Sequence, residues 1–331
     1  RLSNFSQRDE YSAFLYRLAS LLTKSDNAVS PEEEKALNGI FNMLNPKSTQ
    51  KTAMKKMDKK MDQPTLEASL NELNDMVGLE GVKQEVNSLI NFVKIQKERE
   101  KHGLKQNDIS YHCVFTGSPG TGKTTVARIL ANIFRSLDVI DTGQLVETDR
   151  AGMIAEYVGQ TAVKVDKLVD ESMGGVLFID EAYSLSTGSS EDFGKEAIAT
   201  LLKRMEDNRD NLIVIVAGYS DKMKDFIDMN PGLKSRFNRY IHFEDFAPKD
   251  MMSIYHKMCQ GSDYTISNEA EQYLQSQFES AYNSRDESFG NGRFVRNTFE
   301  KSIENLSNRI AKSDKITKEL LTTIEKEDIN F

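Results

Sequence analysis

Eight consecutive residues, Gly117-Ser118-Pro119-Gly120-Thr121-Gly122-Lys123-Thr124, fit the pattern G-x-x-x-x-G-K-[ST]. Each residue type in it has a chemical use. The glycines let backbone N–H groups curl around phosphate oxygens. The Lys123 ammonium would neutralise the outer two phosphates of a nucleoside triphosphate, and the Thr124 hydroxyl would reach a Mg²⁺ ion. An apolar run, 111–116, precedes the motif and a helical one, 122–136, follows it. The start of such a helix directs its positive end at the same anion. A bare glycine-rich turn would need neither flank.

A second group of residues could act on what the first holds. Val176-Leu177-Phe178-Ile179-Asp180-Glu181 is an apolar run ending in two carboxylates. Alone, this would be an ordinary solvated strand end. Behind a phosphate loop, Asp180 can join the Mg²⁺ shell and Glu181 can orient and polarise the attacking water. An acidic pair at that place favours hydrolysis over simple nucleotide binding. Phosphoryl transfer also needs cations at the developing charge. Arg236 lies in Pro231-Gly232-Leu233-Lys234-Ser235-Arg236-Phe237, and Arg293 in Gly290-Asn291-Gly292-Arg293-Phe294. An isolated arginine belongs to the solvated surface. Flanking Gly and Pro suggest fixed loops and raise the functional reading of both.

These groups need a scaffold, and the rest of the sequence supplies one. Strand-like runs at 111–116, 144–148, 175–179, 212–217 and 240–243 alternate with helical stretches at 122–136, 161–173 and 193–208. That order predicts a mostly parallel α/β sheet sandwiched by helices. A further helix is expected at 80–101. After Pro248 strand signals stop, and helices at 248–260, 267–282, 293–312 and 317–327 predict a small helical lid. Before the sheet, residues 9–44 read as two helices, the second opened by Ser30-Pro31-Glu32-Glu33. The expected domains are a helical N-terminal segment (1–45), a Lys-rich linker (46–70), a large α/β subdomain (71–246) and a lid (247–331). Lys47, Lys51, Lys55, Lys56, Lys59 and Lys60 in the linker suit a solvated connection or a basic contact strip.

Composition narrows the function. The chain has 331 residues, enough for about two domains, and its 43 basic and 51 acidic residues give a net charge of −8. A dedicated nucleic-acid binder would be basic. Two cysteines, Cys113 and Cys259, cannot make a disulfide framework, and no Cys/His spacing suits zinc. A reducing cytoplasm fits this usage. No apolar run approaches the roughly 18 residues that span a bilayer, so no membrane partner is expected. The chain begins at Arg1 rather than Met, so any upstream targeting segment lies beyond this reading.

Over about residues 70–328 the sequence resembles AAA+ ATPases of the CbxX/CfqX type. That group contains the red-type Rubisco activases, the stage V sporulation protein K proteins and the EccA ATPases. The resemblance rests on ordered blocks: Asp75-Met76-Val77-Gly78-Leu79, the phosphate loop, Glu156-Tyr157-Val158-Gly159-Gln160-Thr161-Ala162, and Gly175 through Tyr183. Met205-Glu206-Asp207, Ala217-Gly218-Tyr219, the Arg236 block and Gly290-Asn291-Gly292-Arg293 continue it. It implies an ATP- and Mg²⁺-dependent hydrolase. ATP would be held by Pro119, Gly120, Thr121, Gly122, Lys123, Thr124, Thr125 and Asp180, with Val77 and Gly78 near the adenine. Thr124 and Asp180 would hold the metal, and Glu181 would serve the water. Arg236 would be a finger reaching a neighbour's γ-phosphate, and Arg293 a sensor on the chain's own nucleotide. Tyr157, Val158 and Gly159 would form the pore loop of a homo-hexameric ring that acts on a protein client. Where many members carry a polar sensor Asn, this chain has Tyr219, so that sensor role stays open. The N-terminal hairpin faintly resembles a TerB-like helical domain, and a plain adaptor-docking helix pair competes with that.

Read from residues alone, Tyr157 could be an exposed aromatic or a loop aromatic folded back on the core. The stretch 184–194 could be a second pore loop or a flexible connection. Three functional classes follow: an ATP-driven remodelling motor, a nucleotide-controlled assembly scaffold that does not thread, and a nucleic-acid loader. Charge and the missing basic recognition motif count against the third.

Overall fold

In the computed structural model the described residues are 64–330, apart from 106–109, 156, 158, 187–192 and 314. The expected N-terminal helices and the lysines of the linker lie outside them. The five strands β1 (Cys113–Gly117), β2 (Leu145–Thr148), β3 (Val176–Ile179), β4 (Ile213–Gly218) and β5 (Arg239–Phe243) form one parallel sheet in the order β2-β3-β4-β1-β5. Successive side chains alternate between its faces. Cys113, Phe115, Ile213, Ile215 and Ala217 face one side, and Val114, Val214 and Val216 the other. Both faces are covered, as a parallel sheet requires.

On the first face lie α1 (Leu66–Asp75), α2 (Glu80–Lys101) and α3 (Lys123–Ser136). Val82, Val86, Leu89, Ile90 and Val93 make the buried stripe of α2 at helical spacing. Helix α1 starts inside the stretch expected to be linker. Its first turn is capped by the Thr65 hydroxyl, which accepts from the Ala68 N–H at 3.1 Å. After β2 comes the short α4 (Arg150–Met153). The second face is covered by α5 (Gln160–Ser172), α6 (Phe193–Asp207) and α7 (Ser220–Asp228), with Leu233 of α8 (Pro231–Arg236). Neither α4, α7 nor α8 is among the expected helices. Each has nine residues or fewer, too few for a clear period.

The lid contains α9 (Pro248–Gly261), α10 (Asn268–Asn283), α11 (Gly292–Ile310) and α12 (Lys318–Thr322). Tyr255 is its centre, with edge-on contacts to Phe278 at 6.5 Å and Phe299 at 5.6 Å between ring centroids. The apolar cluster of the first sheet face runs on into the lid through Phe246, Met251 and Tyr255. The expectation that strands end at Pro248 is corrected here. β6 (Thr265–Ile266) pairs in parallel with β7 (Thr323–Ile324), and the helix expected over 317–327 stops at Thr322. Two-residue strands carry no alternation to read.

β7 ends where a buried carboxylate is needed. Asp328 is 1% exposed and meets Arg309 of α11 through two bonds, Nε–Oδ1 at 2.9 Å and Nη2–Oδ2 at 2.7 Å. Asp328 also accepts from the Glu325 N–H at 2.9 Å, so the chain end is closed by one side chain. Asp328→Ala leaves the Arg309 cation without its main partner and should cost about 3 kcal/mol. Chemical denaturation measures this, and an unchanged unfolding midpoint would show that the pair does not hold the lid.

Candidate active site

The carboxyl ends of β3, β4, β1 and β5 lie side by side, which is where open α/β sheets hold ligands. A cavity of about 440 Å³ opens there. From the phosphate loop it takes Gly117, Pro119, Gly120, Gly122, Lys123 and Thr124, with Thr125 beside them. From the ends of β3 and β4 it takes Asp180, Glu181 and Tyr219, and from the lid Gly292, Arg293 and Arg296. Segments distant in sequence thus meet at one opening.

Lys123 folds along the loop and donates to the carbonyls of Gly117 at 2.9 Å and Ser118 at 2.8 Å. Burial lowers its pKa below the ordinary value. Asp180 opposes that shift and Arg293 adds to it. Lys123, Arg293 and Arg296 thus put three cations on one polar cavity, an arrangement suited to a polyanion. Thr121 does not line the cavity. It is fully buried, and its hydroxyl donates to the Ser118 carbonyl at 2.9 Å, bracing the loop from within. Val77 and Gly78 also lie off the cavity lining, and Gly78 packs against Phe246 and Asp250. Apolar lining comes instead from Ile254 and Met258, one turn apart on α9. Sequence reasoning did not single these out, because on a helix they read as core.

Glu181 follows β3 in the left-handed region, with φ +48°, a strained place for a side chain with a Cβ. Its N–H donates to Asp180 Oδ1 at 3.0 Å, which holds the two carboxylates in a fixed relation. Tyr183 stands beside it. Burial first, and then the Glu181 charge and hydrogen bond, push the Tyr183 phenol up to about 12. The Tyr183 and Tyr219 rings are 5.9 Å apart, with the Lys222 ammonium 4.9 and 4.7 Å from their centroids. Tyr219 is therefore part of an aromatic–cation cluster at the mouth of the cavity. Tyr183 had a signal in sequence, two places after Glu181. Lys222 had none.

Arg236 does not join this cavity. It ends α8, whose start is fixed by Pro231 and by Asn230 Oδ1 accepting from the Gly232 N–H at 2.8 Å. The guanidinium meets Glu206 Oε2 at 3.0 Å and the Gly232 carbonyl at 3.3 Å. Behind it His112 is buried, accepts from the Val214 N–H at 3.0 Å and packs its ring 5.9 Å from Phe237. Burial, with help from Arg236, lowers the His112 pKa to about 4, so this support is a neutral one. Tyr157 is 66% exposed and does not fold back on the core. Gly159 opens α5 next to it, while Val158 lies outside the described residues.

Comparison with known proteins agrees with this geometry. Residues 113–245 match the family described as "ATPase family associated with various cellular activities (AAA)", and residues 247–331 match the AAA lid domain. The chain is 41% identical over 261 residues to stage V sporulation protein K of Bacillus subtilis, covering 78% of this chain and 81% of that one. It is 40% identical over 275 residues to the chloroplastic ribulose bisphosphate carboxylase/oxygenase activase of Cyanidioschyzon merolae, covering 81% and 92%. The chain belongs to the CbxX/CfqX-type AAA+ ATPases. The ESX-3 secretion system protein EccA3 of Mycobacterium leprae is 35% identical over 321 residues, 92% of this chain but only 49% of that longer protein. Among solved structures, the FIGL-1 AAA domain in complex with ADP superposes with a TM-score of 0.54 at 19% identity, over 77% of this chain and 80% of that one. That likeness is one of fold.

As an AAA+ ATPase the protein binds and hydrolyses nucleotide, and the place of Lys123 on the cavity lining makes its contact with that nucleotide an expectation to test. Lys123→Ala should weaken nucleotide affinity by about 100-fold, the loss of a charge-assisted contact in a part-buried place. Titration with a fluorescent nucleotide reads this. Affinity within twofold of the parent would remove Lys123 from the site.

Proposed function

We propose that this ATPase works as a homo-oligomeric ring, by family analogy a hexamer, which hydrolyses ATP at subunit interfaces and pulls on a protein client. The observation that carries this reading is the division of the cations. Lys123 and Arg293 bear on the cavity of their own chain, whereas Arg236 stands outside it on the capped helix α8. An arginine so held is suited to complete a neighbour's site. A second support is the exposed Tyr157 beside a positive-φ glycine, Gly159 at φ +80°. Such an aromatic can grip an extended polypeptide without reading its sequence. The client stays chemically unspecified, and a net charge of −8 argues against nucleic acid. Both cysteines are free and buried, in keeping with a cytoplasmic setting. No described helix is long and apolar enough to cross a membrane.

In this mechanism the phosphate loop orients the triphosphate and Lys123 offsets its outer charge. Mg²⁺ suits the residues present. Thr124 and Asp180, both lining the cavity, offer oxygen donors, and this ion takes one or two protein ligands plus phosphate oxygens. Thr124 and Asp180 would hold it, and when bound it supplies charge to the phosphoryl oxygens. Glu181 positions water and accepts its proton. Arg293 acts on the chain's own nucleotide, and Arg236 on the neighbour's.

Glu181→Gln keeps the shape and loses the basicity, so nucleotide affinity should hold while turnover falls ~10²-fold or more. Near-normal steady-state hydrolysis would take Glu181 out of the mechanism. Arg236→Ala should bind ATP normally and lose most turnover, and doping it into parent subunits should depress activity beyond dilution. A linear dilution curve, in subunits shown to mix, speaks against a shared site. Tyr157→Ala should keep nucleotide binding, assembly and basal hydrolysis and lose client-stimulated hydrolysis, while Tyr157→Phe retains it. If neither change affects the partner, the scaffold reading takes over.

A further inference from the structure

Asn291 precedes α11 at the place of its N-cap, yet its side chain makes no cap bond to the helix. Its backbone is at φ +48° and ψ −120°, a conformation in which a side chain is strained, and it is fully buried. The side chain is spent elsewhere. Oδ1 accepts from the Phe246 N–H at 2.8 Å. Nδ2 faces three acceptors: Asp245 Oδ1 at 2.8 Å, the Phe289 carbonyl at 3.0 Å and the Pro119 carbonyl at 3.3 Å. One amide therefore touches the phosphate loop, the exit of β5 and the lid.

The neighbouring backbone repeats the connection. The Gly292 N–H donates to the Gly120 carbonyl at 3.0 Å. A Cβ on Gly120 would stand 2.2 Å from the Gly290 carbonyl, so lid and phosphate loop meet backbone against backbone. Asp245 is held from a third side by Arg285 Nε at 3.0 Å. Burial opposes its charge, but hydrogen bonds from Asn291, Ser118 and Arg285 outweigh this and keep the carboxyl below the ordinary range. The residue after Gly292 is Arg293, and Arg296 follows one turn on, both lining the nucleotide cavity.

We propose that Asn291 is a positioning residue for ATP binding and hydrolysis, registering the lid on the phosphate loop so that Arg293 stands at the cavity. The helix gives up its cap and the backbone accepts strain, and the bridge to Pro119, Asp245 and Phe246 is what those concessions obtain. This inference rests on the reading of Arg293 given above, and it predicts that the two residues act as one unit. A purely structural Asn291 would lower stability without coupling to Arg293.

The test is a double-mutant cycle on the full chain with Asn291→Gly, which tolerates the backbone, and Arg293→Ala. Asn291→Gly alone should weaken nucleotide affinity by about tenfold. In the Arg293→Ala background it should cost less than about twofold more. Hydrogen exchange of the Gly120–Thr124 amides, without nucleotide, should quicken in Asn291→Gly. Unchanged affinity in the single variant, or fully additive losses in the double, overturns the proposal. If Arg293→Ala is itself silent, the reading of Arg293 fails, and exchange then decides for Asn291. Unaltered phosphate-loop exchange overturns it. Should Asn291→Gly fail to fold, Asp245→Asn loosens the same junction and should show the same non-additivity with Arg293→Ala, whereas additive losses there overturn the proposal too.

Discussion

Lys123 carries charge where charge is costly, and much of the molecule is arranged around that. Burial lowers its pKa, and the Gly117 and Ser118 carbonyls give its ammonium two fixed acceptors. A loop that folds back this closely on an ammonium needs almost no side-chain bulk at its base. Gly117 shows how tight that base is. Its φ is +142°, and a Cβ there would lie 2.2 Å from the Phe243 carbonyl. β1 and β5 can therefore end in register, Gly117 beside Phe243, only because Gly117 has no side chain. The same closure sets Asp245 and Phe246 directly behind the phosphate loop, where Asn291 finds them.

The lid is bound to the sheet domain by two unlike forces. Apolar contact is continuous from Phe115 and Phe243 through Phe246 to Tyr255, and it resists separation without fixing an angle. The hydrogen bonds at Asn291 and Gly292 are few but directional. A lid held by the first alone could slide, and the second gives it one register. The stretch between Phe243 and Pro248, where strand and helix both end, is where both forces meet, with Phe246 in the core and Asp245 and Phe246 bonded to Asn291.

The parts legible in the sequence were those whose signal is local. The phosphate loop, the apolar run into Asp180-Glu181 and the alternation of strands with helices each occupy a short window, and the structure places each of them within a residue or two of the expected bounds. What the sequence hid depends on pairing across distance. Asn291 reads as a loop residue, and its bonds to Pro119, Asp245 and Phe246 exist only once the chain has folded. Ile254 and Met258 have the spacing of a core helix, and their exposure to the cavity follows from where the lid docks. β6 and β7 are two residues each, defined only by one another. Leu66, half-buried on α1 inside the stretch expected to be linker, packs against the core that Leu73 joins, a contact that a Lys-rich composition nearby does not announce.

The loop that exposes Tyr157 shows how a change at the cavity can be felt outside it. Arg150 Nη1 donates to the Ser184 carbonyl, in the turn that follows Asp180 and Glu181. From the other side, Lys164 Nζ donates to the carbonyls of Ala151 at 2.6 Å and Ile154 at 3.0 Å, tying α5 to the chain just before the loop. Asp149 Oδ1 caps α4 by accepting from the Gly152 N–H at 2.9 Å. Residues 149–154 are therefore held at one end by the turn beside the two carboxylates and at the other by α5. Within that hold the Met153 side chain is fully buried, so the segment cannot swing freely. Through Arg150 and Lys164, the turn at Ser184 and helix α5 are thus both bonded to the backbone that leads to the exposed ring of Tyr157.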